Sequence, residues 1–509
     1  MPRTPRRTAI GLMVCGLLGM WTAAIAGAQE PTEREVLMLG ARNAWRLGAY
    51  DQAIARYRLA IERDPTQWDA VEELGWLLLA IGRTDEAIRQ FEAATTLAPD
   101  NLTVWRNRAR AYGWAFAYEP ALDTFDVILK RFPSDAATEL ERNGKRALWL
   151  GRLRPAQAAF ERLAELEPNN TEALFDLAQI AAQRERPWQA QALYRRLLAV
   201  APEHRRAALG LELNTRLQQP LLMLDYAFID QQGYDGKRSI RYGLGSAEGR
   251  VRISDTVSAR LGYQNAQFHF GHDSLLAHAG TVGLGYHPNS FLQFTGFVSG
   301  LHYDRTDRDR INLGVGVSYE TLSGLTLRAD FERKDLWENR TTVLDGIVTH
   351  RFSTSVRGVV GQRLEWTIQG DFTDYSDNNT RIGGEFLAAY RLLWFPTSLR
   401  LIYRVNGFGF QRERAYFSPS AYATNTLAVE WQHRLGYPTH KDYLAEAPRN
   451  AYSIYYGISI DSNGIPFNEW RGRFAYALAP QLDVGLSLKT IRSTVYNEWG
   501  AQGSIGYTF

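Results

Sequence analysis

The chain has 509 residues, 45% of them hydrophobic and 22% charged, with a formal net charge of +3 and a mean hydropathy of −0.32. This balance excludes wholesale disorder, a basic nucleic-acid-binding surface spread over the molecule, and a polytopic helical membrane protein, each of whose helices needs about 20 mostly apolar residues. The length leaves room for two to four domains, and the 12% aromatic content, 43 Gly and single Cys call for a reason that bulk hydropathy does not supply.

The first element, residues 1–28, reads as a signal peptide. Arg3, Arg6 and Arg7 precede an apolar run from Ala9 to Ala26, which ends in the small residues Ala24-Ile25-Ala26-Gly27-Ala28. A basic start, an apolar middle and an A-x-A finish form a secretory address. Cys15 lies inside the run, so cleavage there leaves no cysteine for disulfides or metal ligation.

Residues 34–218 carry an internal repeat. Pro65, Pro99, Pro133, Pro168 and Pro202 follow one another at intervals of 34, 34, 35 and 34 residues. Twelve residues before each stands an alanine: Ala53, Ala87, Ala121, Ala156 and Ala190. Eight before each stands an aromatic: Tyr57, Phe91, Phe125, Phe160 and Tyr194. This pattern is that of the tetratricopeptide repeat, a unit of two antiparallel helices. The alanine permits close helix approach, the aromatic fills the groove between units, and the proline ends the second helix. Gly48, Gly82 and Gly151 mark the turn inside a unit. Five repeats and a closing helix over 205–218 bury a continuous core, because each unit packs on its neighbours. The expected role of such a solenoid is to bind a protein or a polymer.

From residue 220 to 509 the period becomes two. Ile311, Leu313, Val315, Val317 and Tyr319 alternate with Asn312, Gly314, Gly316, Ser318 and Glu320. Leu482, Val484, Leu486 and Leu488 alternate with Asp483, Gly485, Ser487 and Lys489. Such strands have one apolar and one polar face. Their length exceeds that of soluble sheets, and a tilted strand of about 9–11 residues crosses a bilayer. Aromatics crowd the strand ends (Tyr286, Tyr303, Trp337, Tyr375, Trp394, Phe395, Trp470 and Trp499), and Phe509 ends the chain. Sixteen strands are expected, beginning near Leu221, Arg238, Asp255, Leu276, Phe291, Asp309, Leu325, Val348, Gln362, Arg381, Thr397, Ser420, Pro448, Ile465, Pro480 and Val495. The predicted fold class is thus α then β: a periplasmic helical solenoid followed by a sixteen-stranded antiparallel transmembrane β-barrel.

A barrel of this size encloses a channel. The faces read as inward carry both signs: Asp225, Arg241, Arg260, Arg328, Asp330, Glu332, Arg357, Asp371, Glu385, Arg391, Arg400, Arg404, Glu430, Arg471, Arg473 and Asp483. These charges either pair across the lumen and fill it, or line a hydrated path. No phosphate loop, nucleophile elbow or zinc motif is present. His269 and His272 have HxxH spacing without further ligands, and Asp371 and Asp374 form an acidic pair at a strand end. The first lacks a ligand set, and the second suggests glycoside hydrolysis but fits a pore lining better, so no enzyme activity, cofactor or metal is expected.

Three segments carry a family resemblance. They are Tyr416-Phe417-Ser418-Pro419, the run from Asp371 to Asn379 followed by Arg381, and Asp335-Leu336-Trp337-Glu338. With the order signal, solenoid, barrel, the chain resembles the exopolysaccharide export porins, whose members carry poly-N-acetylglucosamine or cellulose. The resemblance implies an outer-membrane barrel embedded in lipid and a periplasmic solenoid that recruits the polysaccharide chain, a modifying enzyme or a synthase complex. It also implies a passive path past the inward charges, with Tyr416 and Phe417 offering sugar-stacking surfaces. Five repeats are fewer than in the long solenoids of the cellulose system. Two other classes remain: a general or phage-exploited porin with a scaffold solenoid, and an outer-membrane enzyme acting on glycan or lipid.

Overall fold

The computed structural model describes residues 32–306, 308–361, 363–393, 397–435 and 450–509. The expected signal peptide at 1–28, Trp394 and Phe395, the strand starts at Gln362 and Pro448, and the connection near 436–447 lie outside the described residues. The chain divides into two units, one ending at Thr138 and one running Glu139–Phe509.

Among the described residues, eleven helices precede the barrel: α1 (Glu33–Arg46), α2 (Tyr50–Arg63), α3 (Trp68–Ala80), α4 (Thr84–Leu97), α5 (Leu102–Trp114), α6 (Tyr118–Arg131), α7 (Ala136–Trp149), α8 (Leu153–Leu166), α9 (Thr171–Gln183), α10 (Pro187–Val200) and α11 (Arg205–Arg216). The five repeat alanines and five repeat aromatics are all fully buried. Each repeat proline stands two residues beyond the end of α2, α4, α6, α8 or α10, where the lack of an N–H costs nothing further to the helix. Glycine makes the close approach possible. A Cβ on Gly144 of α7 would stand 2.7 Å from the Phe160 ring of α8, and one on Gly210 of α11 would stand 2.3 Å from the Tyr194 ring of α10.

The turn inside every repeat needs a left-handed residue. Gly48, Gly82 and Gly151 supply it in three repeats, but Phe116 and Glu185 adopt it in the others, with φ of 59° and 56°. A side chain in this region costs about 1–2 kcal/mol. Glu185 has a compensating contact, given below.

The strands follow: β1 (Leu221–Gly233), β2 (Ile240–Arg252), β3 (Val257–Phe270), β4 (Asp273–Asn289), β5 (Leu292–Tyr303), β6 (Arg308–Glu320), β7 (Thr326–Asp335), β8 (Val348–Val360), β9 (Leu364–Tyr375), β10 (Asn379–Leu393), β11 (Thr397–Phe410), β12 (Tyr422–Arg434), β13 (Ala451–Asp461), β14 (Pro466–Ala479), β15 (Leu482–Arg492) and β16 (Tyr496–Thr508). A short helix, α12 (Arg340–Asp345), lies between β7 and β8. Each strand pairs antiparallel with its neighbour in sequence, and β1 pairs with β16, so the sheet is a closed barrel. Closure leaves no unpaired edge. Strands run from 10 residues in β7 to 17 in β4. Leu261, Val282, Leu284, Val298, Ile311, Ile382 and Leu427 stand exposed on the outer face. An apolar band around a closed barrel is the surface of an outer-membrane-type protein.

Strand parity defines two ends, one beside the helices and one far from them. At the helix-side end the last repeats meet the strand turns. Pro187 opens α10, and the Asp255 carboxylate from the β2–β3 turn accepts the N–H groups of Trp188 and Gln189 at 3.0 and 2.9 Å. An anion there satisfies orphan donors and the helix dipole together. Glu320 at the end of β6 accepts the Arg154 N–H at 3.0 Å and pairs with Arg184. Arg252 of β2 donates to the carbonyl of Glu185 at 2.5 Å and to its carboxylate at 2.8 Å. The strained turn residue is therefore a docking contact, which glycine does not provide.

Between α7 and α9 lies a buried ion cluster. Lys145 Nζ stands 2.9 Å from Glu172 and 2.8 Å from Asp176. Burial pushes the Asp176 carboxyl up to about 7, against the attraction of Lys145. A carboxyl raised on folding binds its proton more tightly in the folded repeats, so their stability falls as pH rises from the ordinary carboxylate range through about 7. The melting midpoint of the helical circular-dichroism signal is expected to be higher at acidic than at neutral pH, and Asp176→Asn is expected to shrink that difference. An unchanged pH dependence in Asp176→Asn would contradict the assignment.

Candidate functional site

The inner wall is set by alternation and register. Arg328, Asp330 and Glu332 on β7, Asp371 on β9, Glu385 on β10, Arg400 and Arg404 on β11, Glu430 on β12, Arg471 and Arg473 on β14, and Asp483 on β15 lie on faces opposite to the exposed apolar residues of their strands. They therefore line the lumen. Most of their charge is compensated locally. Arg328 donates twice to Asp330, at 2.7 and 2.8 Å. Lys334 pairs with Glu332 at 2.9 Å. Asp371 lies between Arg381 at 2.7 Å and Arg351 at 3.5 Å. Arg400 Nε donates to Glu430 at 2.8 Å, and Glu469 takes Arg471 at 2.7 Å and Arg404 at 3.5 Å. Glu385 and Arg473 have no ion pair among the described residues. Such partly exposed pairs add little stability each. Their effect is to cancel the field while keeping hydrogen-bonding groups on the wall.

Near the helix-side end this wall and the last helices enclose a cavity of about 1100 Å³. Asn214 and Leu217 from the α11 side face Arg260, Arg328, Asp330 and Asp483 across it.

Arg241 corrects the reading of the wall. Its partner in register is Asp230, which lies directly across from the outward Trp499, so Arg241 faces outward. It pairs with Asp230 at 2.6 Å. The inward residues beside it are Ile240, Tyr242 and Leu244. The polarity of the two faces is inverted here, and Phe268, Leu275, Ala277, Leu301 and Tyr303 show the same inversion on β3, β4 and β5. Inward apolar side chains need something to pack against.

What they pack against is the connection between β7 and β8. Phe268 and Tyr303 are fully buried against Trp337, Val343 and Leu344. Trp337 Nε1 donates to the Tyr303 hydroxyl at 2.9 Å, and that hydroxyl donates to Asp335 at 2.8 Å. Asn339 caps α12 through the Thr342 N–H at 2.9 Å, with Thr342 Oγ1 accepting the Asn339 N–H in return. The Asn339 Nδ2 then donates to two other connections, to the Lys237 carbonyl at 2.9 Å and to the Ala415 carbonyl at 2.8 Å. Arg308 donates to the Leu344 and Val343 carbonyls at 2.7 and 2.6 Å. Residues 336–347 therefore fold into the far end of the lumen.

The β11–β12 connection completes this plug. Tyr416 is fully buried. It accepts the Asn379 amide at 3.0 Å, donates to Asp377 at 3.2 Å, and stacks on Tyr375 at 5.2 Å. Arg414 pairs with Asp377 at 3.2 Å. Burial raises the Glu338 carboxyl against the opposing charges of Arg238 and Arg381. Tyr416 thus offers no open stacking surface: its ring is packed inside the plug. The three resemblance segments, 335–338, 371–379 and 416–419, meet at this one place.

Sequence reading missed Asn339, Thr342, Tyr242 and Phe268, and placed Tyr303 among the strand-end aromatics without its inward packing. The signals were available as an N-cap Asn three residues before Thr342, a Gly at the helix end (Gly346, φ 65°), and apolar residues on the supposedly wet face.

The tetratricopeptide repeat model matches residues 38–101, 74–136 and 142–188. A curated relative, "Protein CTR9 homolog" of Arabidopsis thaliana, is 32% identical over 114 residues, which is 22% of this chain and 10% of its own length. The chain thus spans about a tenth of that relative. Among solved structures, "Bacterial polysaccharide outer membrane secretin" is similar over 57% of this chain and 99% of its own, at 13% identity and a TM-score of 0.46. OpdO of Pseudomonas aeruginosa is similar over 57% and 96%, at 11% and 0.35. TTC0263, a repeat protein of Thermus thermophilus, is similar over 36% and 98%, at 22% and 0.29. The chain joins tetratricopeptide repeats to a closed sixteen-strand barrel, the architecture that the resemblance to export porins implies.

Because Asn339 ties two further connections to the plug, Asn339→Ala removes both of these hydrogen bonds, at about 0.5–1.5 kcal/mol each. Single-channel conductance of the folded variant in a planar bilayer is expected to rise above the wild-type level. Equal conductance would mean that the plug does not depend on this side chain.

Proposed function

We propose that the protein is an outer-membrane porin that exports a secreted polysaccharide, poly-N-acetylglucosamine or a cellulose-like polymer, from periplasm to cell surface. The observation that carries this reading is the layout of the barrel. Its polar lumen has repeat helices docked at one mouth and an internal plug at the other. A general diffusion porin needs an open far end. A conduit for an occasional polymer needs one that stays shut until the chain arrives.

The lumen chemistry suits sugar. Charge-compensated arginine and carboxylate pairs present planar donors and acceptors to hydroxyl groups, and their small net field does not trap a charged competitor. The cavity beside α11 is where a chain end delivered by the solenoid enters. In this reading the N-terminal repeats face the periplasm and bind the polymer, a modifying enzyme or the synthase complex. Transport is passive: no energy-coupling or catalytic group takes part, and synthesis or chain entropy supplies the drive.

Deleting the gene in a polymer-producing cell is expected to abolish surface polymer and biofilm matrix while leaving synthase activity in membranes intact. Normal matrix in the deletion strain would remove the export reading. In the wall itself, Arg400→Glu with Arg404→Glu places negative charges beside Glu430 and Glu469. The double variant is expected to shift reversal potential toward cation selectivity in a bilayer under a salt gradient. Unchanged selectivity would show that ions do not pass these residues.

A further inference from the structure

We infer that Phe417 occupies a pyranose-binding subsite at the far end of the lumen, so that the closed plug holds the place of one sugar unit. The inference rests on the export reading and gives it a specific exit site.

The subsite is built from four strands and a turn. The Phe417 ring stacks on Tyr234 at 3.8 Å between centroids, with 27° between planes. Tyr234 in turn stacks on Tyr496 at 5.7 Å. The edges are closed by Tyr422 at 5.2 Å and Phe408 at 6.2 Å, both nearly perpendicular to Phe417. The Tyr234 and Tyr422 hydroxyls are 2.9 Å apart. Tyr234 sits in the left-handed backbone region, φ 51°. For a bulky residue this conformation is costly, and such strain persists where the surroundings fix a position that matters. Here it aims the Tyr234 ring into the lumen.

An aromatic platform alone is only a hydrophobic cluster. This one has polar groups beside it, as a sugar site requires: a ring face for the apolar C–H side and charged side chains for the hydroxyls. Glu338 precedes Asn339, whose side chain bonds the Ala415 carbonyl two residues before Phe417, and the Arg238 and Arg381 charges act on its carboxylate. Glu338 Oε2 is buried with no hydrogen-bond partner. Arg238 lies over the Tyr496 ring at 5.1 Å, and Arg381 over Phe408 at 4.6 Å. Phe417 thus presents what one face of a pyranose ring presents, a flat apolar surface on Tyr234, and the unpartnered Glu338 Oε2 leaves an acceptor for a sugar hydroxyl. The rest of its connection is held elsewhere, by Asn379, Asp377 and Asn339, so the ring is a removable occupant of a standing site.

Polymer and plug then compete. A ligand whose site is open only a fraction of the time binds more weakly by that fraction, so removing the ring strengthens binding. The test uses the purified full chain in detergent and two probes, a β-1,4-linked glucose hexamer and a β-1,6-linked N-acetylglucosamine hexamer, with calorimetry as the readout. Phe417→Ala is expected to bind one of them at least ~10-fold more tightly than wild type, and Phe417→Ala with Tyr234→Ala is expected to lose that gain. A folded Phe417→Ala that conducts ions but binds neither hexamer more tightly would overturn the subsite and leave the export reading standing. Normal surface polymer in the deletion strain would instead remove the export reading. For wild type, a saturating hexamer is expected to speed proteolysis within 411–421. Unchanged cleavage at saturation would count against displacement of Phe417 by sugar.

Discussion

A sheet of sixteen strands that closes on itself is too wide for its own inward side chains to fill. Everything distinctive in the second half of the chain follows from that. Among the described residues the wall pairs its backbone through the ladder from β1 to β16, so the barrel needs no core in the usual sense. The space inside must then be water, loop or cargo. This protein lines the wall with ion-paired arginines and carboxylates and folds two connections into the far end. The apolar residues that a soluble domain would bury in a core are turned outward.

The repeats obey a different constraint. Each unit buries its alanine and aromatic within itself and against its neighbours, so local spacing determines the solenoid. The join between the two regimes is polar: Asp255 on the N-terminus of α10, Glu320 between two arginines, and Arg252 on Glu185. Charged, directional contacts hold the last repeats in one orientation on the strand turns without an apolar patch. Such a patch would be a hazard while the barrel waits to enter a membrane.

This division explains what could be read from the chain. The repeats were legible because proline, alanine and aromatic recur at fixed distance. The strands were legible wherever one face meets lipid and the other meets water, and the expected strand starts lie close to those found. Legibility failed at the plug. Tyr242, Phe268 and Tyr303 are apolar and inward, which alternation alone assigns to lipid, and Arg241 was misplaced by the same rule. Tyr416 read as an exposed surface because nothing local shows that Asn379 and Tyr375, roughly forty residues away, close around it. A pattern of period two reports what each face touches only when the lumen holds water.

The plug is fastened in a particular way. Asn339 bonds the carbonyls of Lys237 and Ala415, Arg308 those of Val343 and Leu344, Arg310 that of Gly346, and Asn379 that of Arg412. In each case a fixed side chain grips the main chain of its partner, which every amino acid supplies. The tips that reach farthest from the helices can therefore change their side chains freely without loosening the plug.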